Sequence, residues 1–167
     1  MTPADVCNGW KADIVGSITA TAMISISELE AKYFGNGLGP EDREPLLDHI
    51  RAEADPIKLA GLLQMWGYEF GEEPELKALC LRHIERPTPH LTATCLKLVC
   101  DRWGNGRDYE EELARYLDPN IYDDWYDEVI IAYSYVSRHP YGWSKNTLTR
   151  FANVEREAKR LDLPSFY

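Results

Sequence analysis

The sequence predicts an all-α chain, an α-solenoid of about four antiparallel helix pairs. Three observations predict it. Residues 55–71, DPIKLAGLLQMWGYEFG, read as one amphipathic helix with a cap at one end and a glycine stop at the other. Residues 88–104, TPHLTATCLKLVCDRWG, repeat that length and punctuation: Pro56 matches Pro89, Ala60 matches Ala93, Leu63 matches Leu96, Phe70 matches Trp103 and Gly71 matches Gly104, each 33 residues on. The helix that follows repeats too, because Tyr109, Leu113, Tyr116 and Leu117 lie 33 beyond Leu76, Cys80, His83 and Ile84. Two helices sharing one period of this size are the signature of stacked helix pairs.

The elements follow in order. Residues 1–13 carry little pattern. Residues 14–34 are compatible with helix, although their β-branched side chains also suit a strand. Gly35, Gly37, Gly39 and Pro40 close that segment with a loop. Residues 41–54 form a second helix, acidic at its start as the helix dipole prefers, with Leu46, Leu47 and Ile50 apolar. Asp55-Pro56 opens the next, with Asp as cap and Pro at the first helical position. Residues 74–85 place Leu76, Leu79, Cys80, His83 and Ile84 on one face. Thr88-Pro89 is a second cap-and-proline start, and Asp108 caps a helix to Leu117. After Asp118-Pro119, Asp123 or Asp124 caps a helix reaching about Arg138. Ser144 caps the last one, to Leu161, with Leu148, Phe151, Val154 and Leu161 inward. Pro164 ends the regular structure.

These paired helices, the Asp-Pro and Thr-Pro starts, the alanine near mid-helix and the 33-residue spacing resemble HEAT or armadillo-like repeats over residues 41–161. The resemblance implies an architecture, and no reaction. The expected organisation is a single domain over 1–167: the weakly patterned 1–13, an N-terminal helix and Gly-rich loop over 14–40, and repeats over 41–161.

Charge is the most informative total. With 28 acidic and 18 basic residues the chain carries −10. Such a chain repels nucleic-acid backbones and anionic membranes, and attracts basic partners quickly. No apolar run is long enough to span a membrane. Residues 14–26 are short and apolar like a signal core, but Asp5 and Asp13 stand before or within them and only Lys11 is basic. The expected setting is therefore the cytoplasm, with Cys7, Cys80, Cys95 and Cys100 as reduced thiols.

The acids are clustered. Residues 41–75 and residues 101–128 each hold ten acids and three bases. The second block threads Tyr122, Trp125 and Tyr126 through Asp123, Asp124, Asp127 and Glu128, with Glu110 and Glu111 upstream. Rings supply rigid buried area at an interface, and acids supply steering and pairing, so these nine residues are the candidate partner-binding set. The same pattern also fits helix-start acids beside core rings.

Other chemistry is weaker. Cys80-x-x-His83 with Cys95 and Cys100 hints at zinc, yet residues five apart on an α-helix diverge by about 140°. The cysteines fit better as small buried hydrophobes. His49 and His83 precede the helix-end Ile50 and Ile84 and read as satisfied, partly buried side chains. Glu72-Glu73 and Asp123-Asp124 read as solvated neighbours rather than a glycosidase dyad. No phosphate-binding glycine loop or nucleophile motif is present. The expectation is thus no metal, no cofactor and no enzymatic activity.

A small, acidic, all-helical chain of this kind resembles the bacterial immunity proteins, cytoplasmic inhibitors paired with toxins of contact-dependent inhibition and related polymorphic systems. That resemblance implies a monomer that joins a basic cognate toxin, typically a nuclease, in a heterodimer and covers its active site. The alternative is a HEAT-like scaffold or adaptor. Helical-repeat DNA glycosylases need a basic groove, which a charge of −10 opposes.

Overall fold

The computed structural model describes residues 23–160, and among them every regular element is helical. The expectations for residues 1–22, including Cys7, and for residues 161–167, including Leu161 and Pro164, lie outside the described residues.

Helix α1 (Ile26–Gly35) begins where Ser25 and Glu28 cap each other. The Ser25 amide donates to Glu28 Oε2 at 2.7 Å, and the Glu28 amide donates to Ser25 Oγ at 3.2 Å. This reciprocal pairing satisfies two helix-end donors, so helix starts at Ile26 although the apolar pattern reaches further back. A short 3₁₀ turn (Pro40–Asp42) leads into α2 (Arg43–Ala52). Asp42 is buried there, holding Lys32 Nζ at 2.6 Å and the Gly39 amide at 2.9 Å.

Helix α3 (Pro56–Glu69) follows the Asp55-Pro56 signal closely. Asp55 Oδ1 accepts from the Ile57 and Lys58 amides at 2.9 and 3.0 Å. Helix α4 (Pro74–Glu85) has the bounds its proline and apolar spacing predict.

The second repeat departs from the first. Thr88-Pro89 does not open a helix; α5 begins at Thr92 and is only five residues long (Thr92–Leu96). His90 adopts a left-handed φ of 67°, which folds residues 88–91 into a turn. The Thr92 hydroxyl fixes that turn, donating to His83 O and accepting from the Thr88 amide, each at 2.8 Å. From Lys97 to Arg102 the helix widens to a π-helix, and the Trp103 amide reaches Leu98 O at 2.9 Å. Leu98 needs the space: a Cβ on Gly67 of α3 would collide with Leu98 Cδ2.

Helix α6 (Glu110–Ala114) is shorter than expected, and Tyr109 rather than Asp108 occupies its cap position. Asp118 caps a 3₁₀ turn (Pro119–Ile121), accepting from the Asn120 amide at 2.9 Å. Helix α7 (Tyr126–Arg138) has Trp125 at its cap position, with no side-chain cap bond, so neither Asp123 nor Asp124 acts as the expected cap. Ser144 does cap α8 (Lys145–Arg160), accepting from the Thr147 amide at 3.2 Å. Leu148, expected inward, is 44% exposed, and its neighbour Thr147 is buried instead.

The core runs along α3, α5 and α7. Helix α3 packs on α2 and α5, α5 on α4 and α7, and α8 closes over α6 and α7. Leu46, Leu63, Trp66, Leu76, Leu96, Leu113 and Val129 are buried within it. Leu63 and Leu96, paired by the repeat, are both core, whereas Ala60 is buried and Ala93 only half-buried. Cys80, Cys95 and Cys100 are buried free thiols. A hydrogen bond with Cys80, together with burial, pushes the Cys95 thiol well up, and burial pushes Cys100 to about 12. Among the described residues no group of three His, Cys, Asp or Glu side chains is placed to hold a metal ion. Nor is any helix there long and apolar enough to cross a membrane.

Candidate partner-binding surface

The 3₁₀ turn at Pro119–Ile121 sets up the candidate surface. The Asp124 and Trp125 amides both return to Ile121 O, at 3.2 and 2.8 Å, folding residues 121–125 into a tight turn ahead of α7. That turn projects Asp123 and Asp124 into solvent, and Asp127 joins them from the first turn of α7. Tyr126 is 42% exposed, and its ring meets Tyr122 edge-on at 5.0 Å. Burial raises the Tyr122 phenol above its usual range, with Tyr126 and Asp123 adding to the effect. Trp125 is half-buried. Asp123, Asp124, Asp127, Tyr122 and Tyr126 therefore form one continuous acidic and aromatic strip.

Two acids assigned to this surface do other work. Glu128 is 5% exposed, turned into the contact between α7 and α5. Burial pushes its carboxyl up, and Asp127 adds to that; the Glu128 and Ala93 amides and His90 pull partly back. The Ala93 amide is in the first turn of α5, whose own cap position, Leu91, has no acceptor side chain. Glu128, on another helix, lies beside the start of α5. It is thus a correction to the expected binding set: its carboxylate faces the interior.

Glu110 is the second. Its Oε1 accepts from the Ser144 amide at 2.8 Å and from the Thr147 hydroxyl, tying α6 to the start of α8. These bonds hold the Glu110 carboxyl below its usual range. Glu111 beside it is exposed and lines an open cleft of about 400 Å³ with Arg115, Asn146 and Arg150. Nothing local in the sequence links Glu110 to Ser144, so the second role is visible only in the fold.

Two predictions arise from these acids. Glu110→Ala should cost about 1 kcal/mol in urea unfolding, the usual net loss for a side-chain hydrogen bond. A change near zero would mean that α8 does not depend on this bond. For Glu128 the sign is opposite to that of a paired surface acid. Its folded pKa lies above the ordinary value of 4.5. Its stability contribution is complete below that value and is lost as pH rises through the folded pKa. Glu128→Gln should remove this loss, so the variant gains on the parent as pH rises from the ordinary value of 4.5 through the raised folded pKa. A stability difference that stays constant over that range would rule out the buried carboxylate as its source.

The two acidic blocks differ in pairing. In residues 41–75, Asp42 pairs with Lys32, Glu44 and Glu73 with Arg43, Asp48 and Glu75 with Arg51, and Glu72 with Lys77. In the second block Asp101 pairs with Arg138, but Asp123, Asp124 and Asp127 enter no ion pair among the described residues. Equal net charge therefore conceals one block in which six of the ten acids have a cation beside them and one strip in which, among the described residues, none of the three aspartates does. Comparison of the chain with protein-family models, with curated proteins and with solved structures finds no match.

Proposed function

We propose that this chain is an acidic binding protein that neutralises a basic partner, as an immunity protein blocks the active site of its cognate bacterial toxin. The observation that carries this reading is the strip of unpaired, exposed Asp123, Asp124 and Asp127 set against the half-exposed Tyr126. Acids without a cation partner among the described residues are already positioned to meet Lys and Arg, and a neighbouring ring offers a contact that can be desolvated. In a nuclease those Lys and Arg hold phosphates, so pairing them with this strip excludes the substrate. The role is stoichiometric, one chain per partner, cytoplasmic and without catalysis or cofactor.

The arrangement suits a HEAT-like solenoid. Helices α3, α5 and α7 contact in succession, as the repeating layer of such an array does, and α8 closes its end. The short α5 and its π-helical continuation are the irregular unit of that array.

The test is capture from source cells with parent protein and with the Asp123→Lys, Asp124→Lys double variant, followed by mass spectrometry. The parent should retain one basic protein whose reading frame directly precedes that of this chain. The variant should lose it while keeping its melting temperature, because exposed unpaired charges contribute little to folding. Capture of several unrelated proteins that ignores the reversal would instead favour the adaptor reading.

A further inference from the structure

We propose that Tyr33, Phe34 and Tyr68, flanked by Glu30, Glu69, Lys97 and Arg102, form a self-complementary patch through which two copies of this chain associate about a two-fold axis. The rings form one row, exposed at both ends, with Tyr33 half-buried between them. Phe34 is 81% exposed and meets Tyr33 edge-on at 5.1 Å; Tyr33 lies 6.4 Å from Tyr68, which is 46% exposed. The row ends under Arg102, whose guanidinium stands 3.9 Å above the Tyr68 ring. Arg102 and then Lys97 hold the Tyr68 phenol below its usual range, which places both cations at that end.

The π-helix builds this end. On an ordinary α-helix Lys97 and Arg102, five residues apart, would diverge by about 140°. The i→i+5 turn brings residues five apart back to one face, so both reach Tyr68. At the other end the charges reverse. Glu30 precedes Phe34 by one helical turn and is exposed. Glu69 follows Tyr68 but turns its carboxylate toward the loop after α1, where Oε2 accepts from the Leu38 amide at 3.3 Å. Among the described residues Glu30, Glu69, Lys97 and Arg102 form no ion pair within the chain.

A two-fold contact requires a surface complementary to itself. Acids at one end, bases at the other and rings between meet that requirement: the two-fold sets Lys97 and Arg102 of each copy against Glu30 and Glu69 of the other. Phe34 then packs over the opposing Tyr68. A nucleic acid fits less well, since the chain carries −10 and two acids border the rings. The patch shares no residue with the strip at Asp123, Asp124 and Asp127, so each copy keeps its partner surface free. The free chain is then a dimer at high concentration, in contrast to the monomer expected from sequence.

Sedimentation velocity of the full chain from about 1 μM to about 1 mM tests this directly. The parent should show a monomer–dimer equilibrium. Phe34→Ala should weaken it by roughly tenfold or more, with an unchanged circular dichroism spectrum because the side chain is exposed. Arg102→Glu should also weaken it, and Glu30→Arg added to that variant should restore association by returning opposite charges to the facing positions. The Asp123→Lys, Asp124→Lys variant should dimerise like the parent. A chain that stays monomeric throughout overturns the proposal, as does dimerisation indifferent to Phe34→Ala or a charge exchange that restores nothing. Loss of dimers on reversing Asp123 and Asp124 would overturn it in favour of a head-to-tail contact through the acidic strip.

Discussion

Trp66→Ala is expected to destabilise the chain by about 3–5 kcal/mol in urea unfolding, within the range for truncating a large buried aromatic. Trp66 is fully buried in α3 and joins several segments. Its Nε1 donates to Gly71 O at 2.9 Å, which fixes the chain where it leaves the helix. The Phe70 ring lies 4.9 Å away, and the Arg43 guanidinium of α2 stands over the indole at 5.0 Å. Arg43 in turn reaches Glu73 at 2.6 Å, just ahead of α4. Truncation removes the packing of α3 and loosens the supports of α2 and of the α3–α4 turn together. Trp66→Phe should lose less, since it keeps most of the ring volume and gives up the bond to Gly71. A domain of this size has about 5–15 kcal/mol in all, so the alanine variant should lose a large share of the total. A loss below about 1 kcal/mol for Trp66→Ala would mean that α3 is not central to the core.

Elements whose limits are chemically local were legible in the sequence. Asp55-Pro56 caps α3, Pro74 opens α4 and Ser144 caps α8, because each signal acts on amides within a few residues. The 33-residue match was legible as apolar positions but did not carry over to backbone conformation. Gly104 takes a left-handed φ of 69° whereas Gly71, its counterpart, does not, and His90 turns the chain where the first repeat simply starts a helix. The π-helix at Lys97–Arg102 depends on the room Gly67 leaves for Leu98, a contact between helices that no local pattern encodes.

The same distinction divides the candidate surface. Asp123, Asp124 and Asp127 are exposed as expected, since helix-start acids beside a turn stay in water. Glu110 and Glu128 were not separable from them by composition. Each is drawn to a helix start far along the chain, Glu110 to Ser144 and Glu128 to Ala93. Clustering alone also could not reveal that six acids of residues 41–75 meet Arg43, Arg51, Lys32 or Lys77, whereas those at 123–127 meet no cation among the described residues. Thr147 and Leu148 show the limit at its finest. One residue of helical phase decides which side chain is buried, and the hydroxyl is taken inward by its bond to Glu110.

Tyr126→Ala is expected to weaken binding of the proposed basic partner by about 2–4 kcal/mol, or roughly thirtyfold to a thousandfold in Kd. Tyr126 has the attributes of an anchor: a large ring, 42% exposed, braced edge-on by Tyr122 and flanked in sequence by Trp125 and Asp127. Bracing holds the ring in place before binding, so little rotamer freedom remains to be lost. The loss should appear in the dissociation rate, because a desolvated contact acts after encounter. The Asp123→Lys, Asp124→Lys variant should behave differently. Its charges act at long range, so association should slow and lose much of its dependence on salt between about 50 and 300 mM. Both variants should melt close to the parent, since these side chains contribute little to the core. Stopped-flow association and dissociation rates at two salt concentrations separate the two effects. If Tyr126→Ala leaves the dissociation rate unchanged, the ring is not the anchor; if parent association is independent of salt, the strip does not steer the partner.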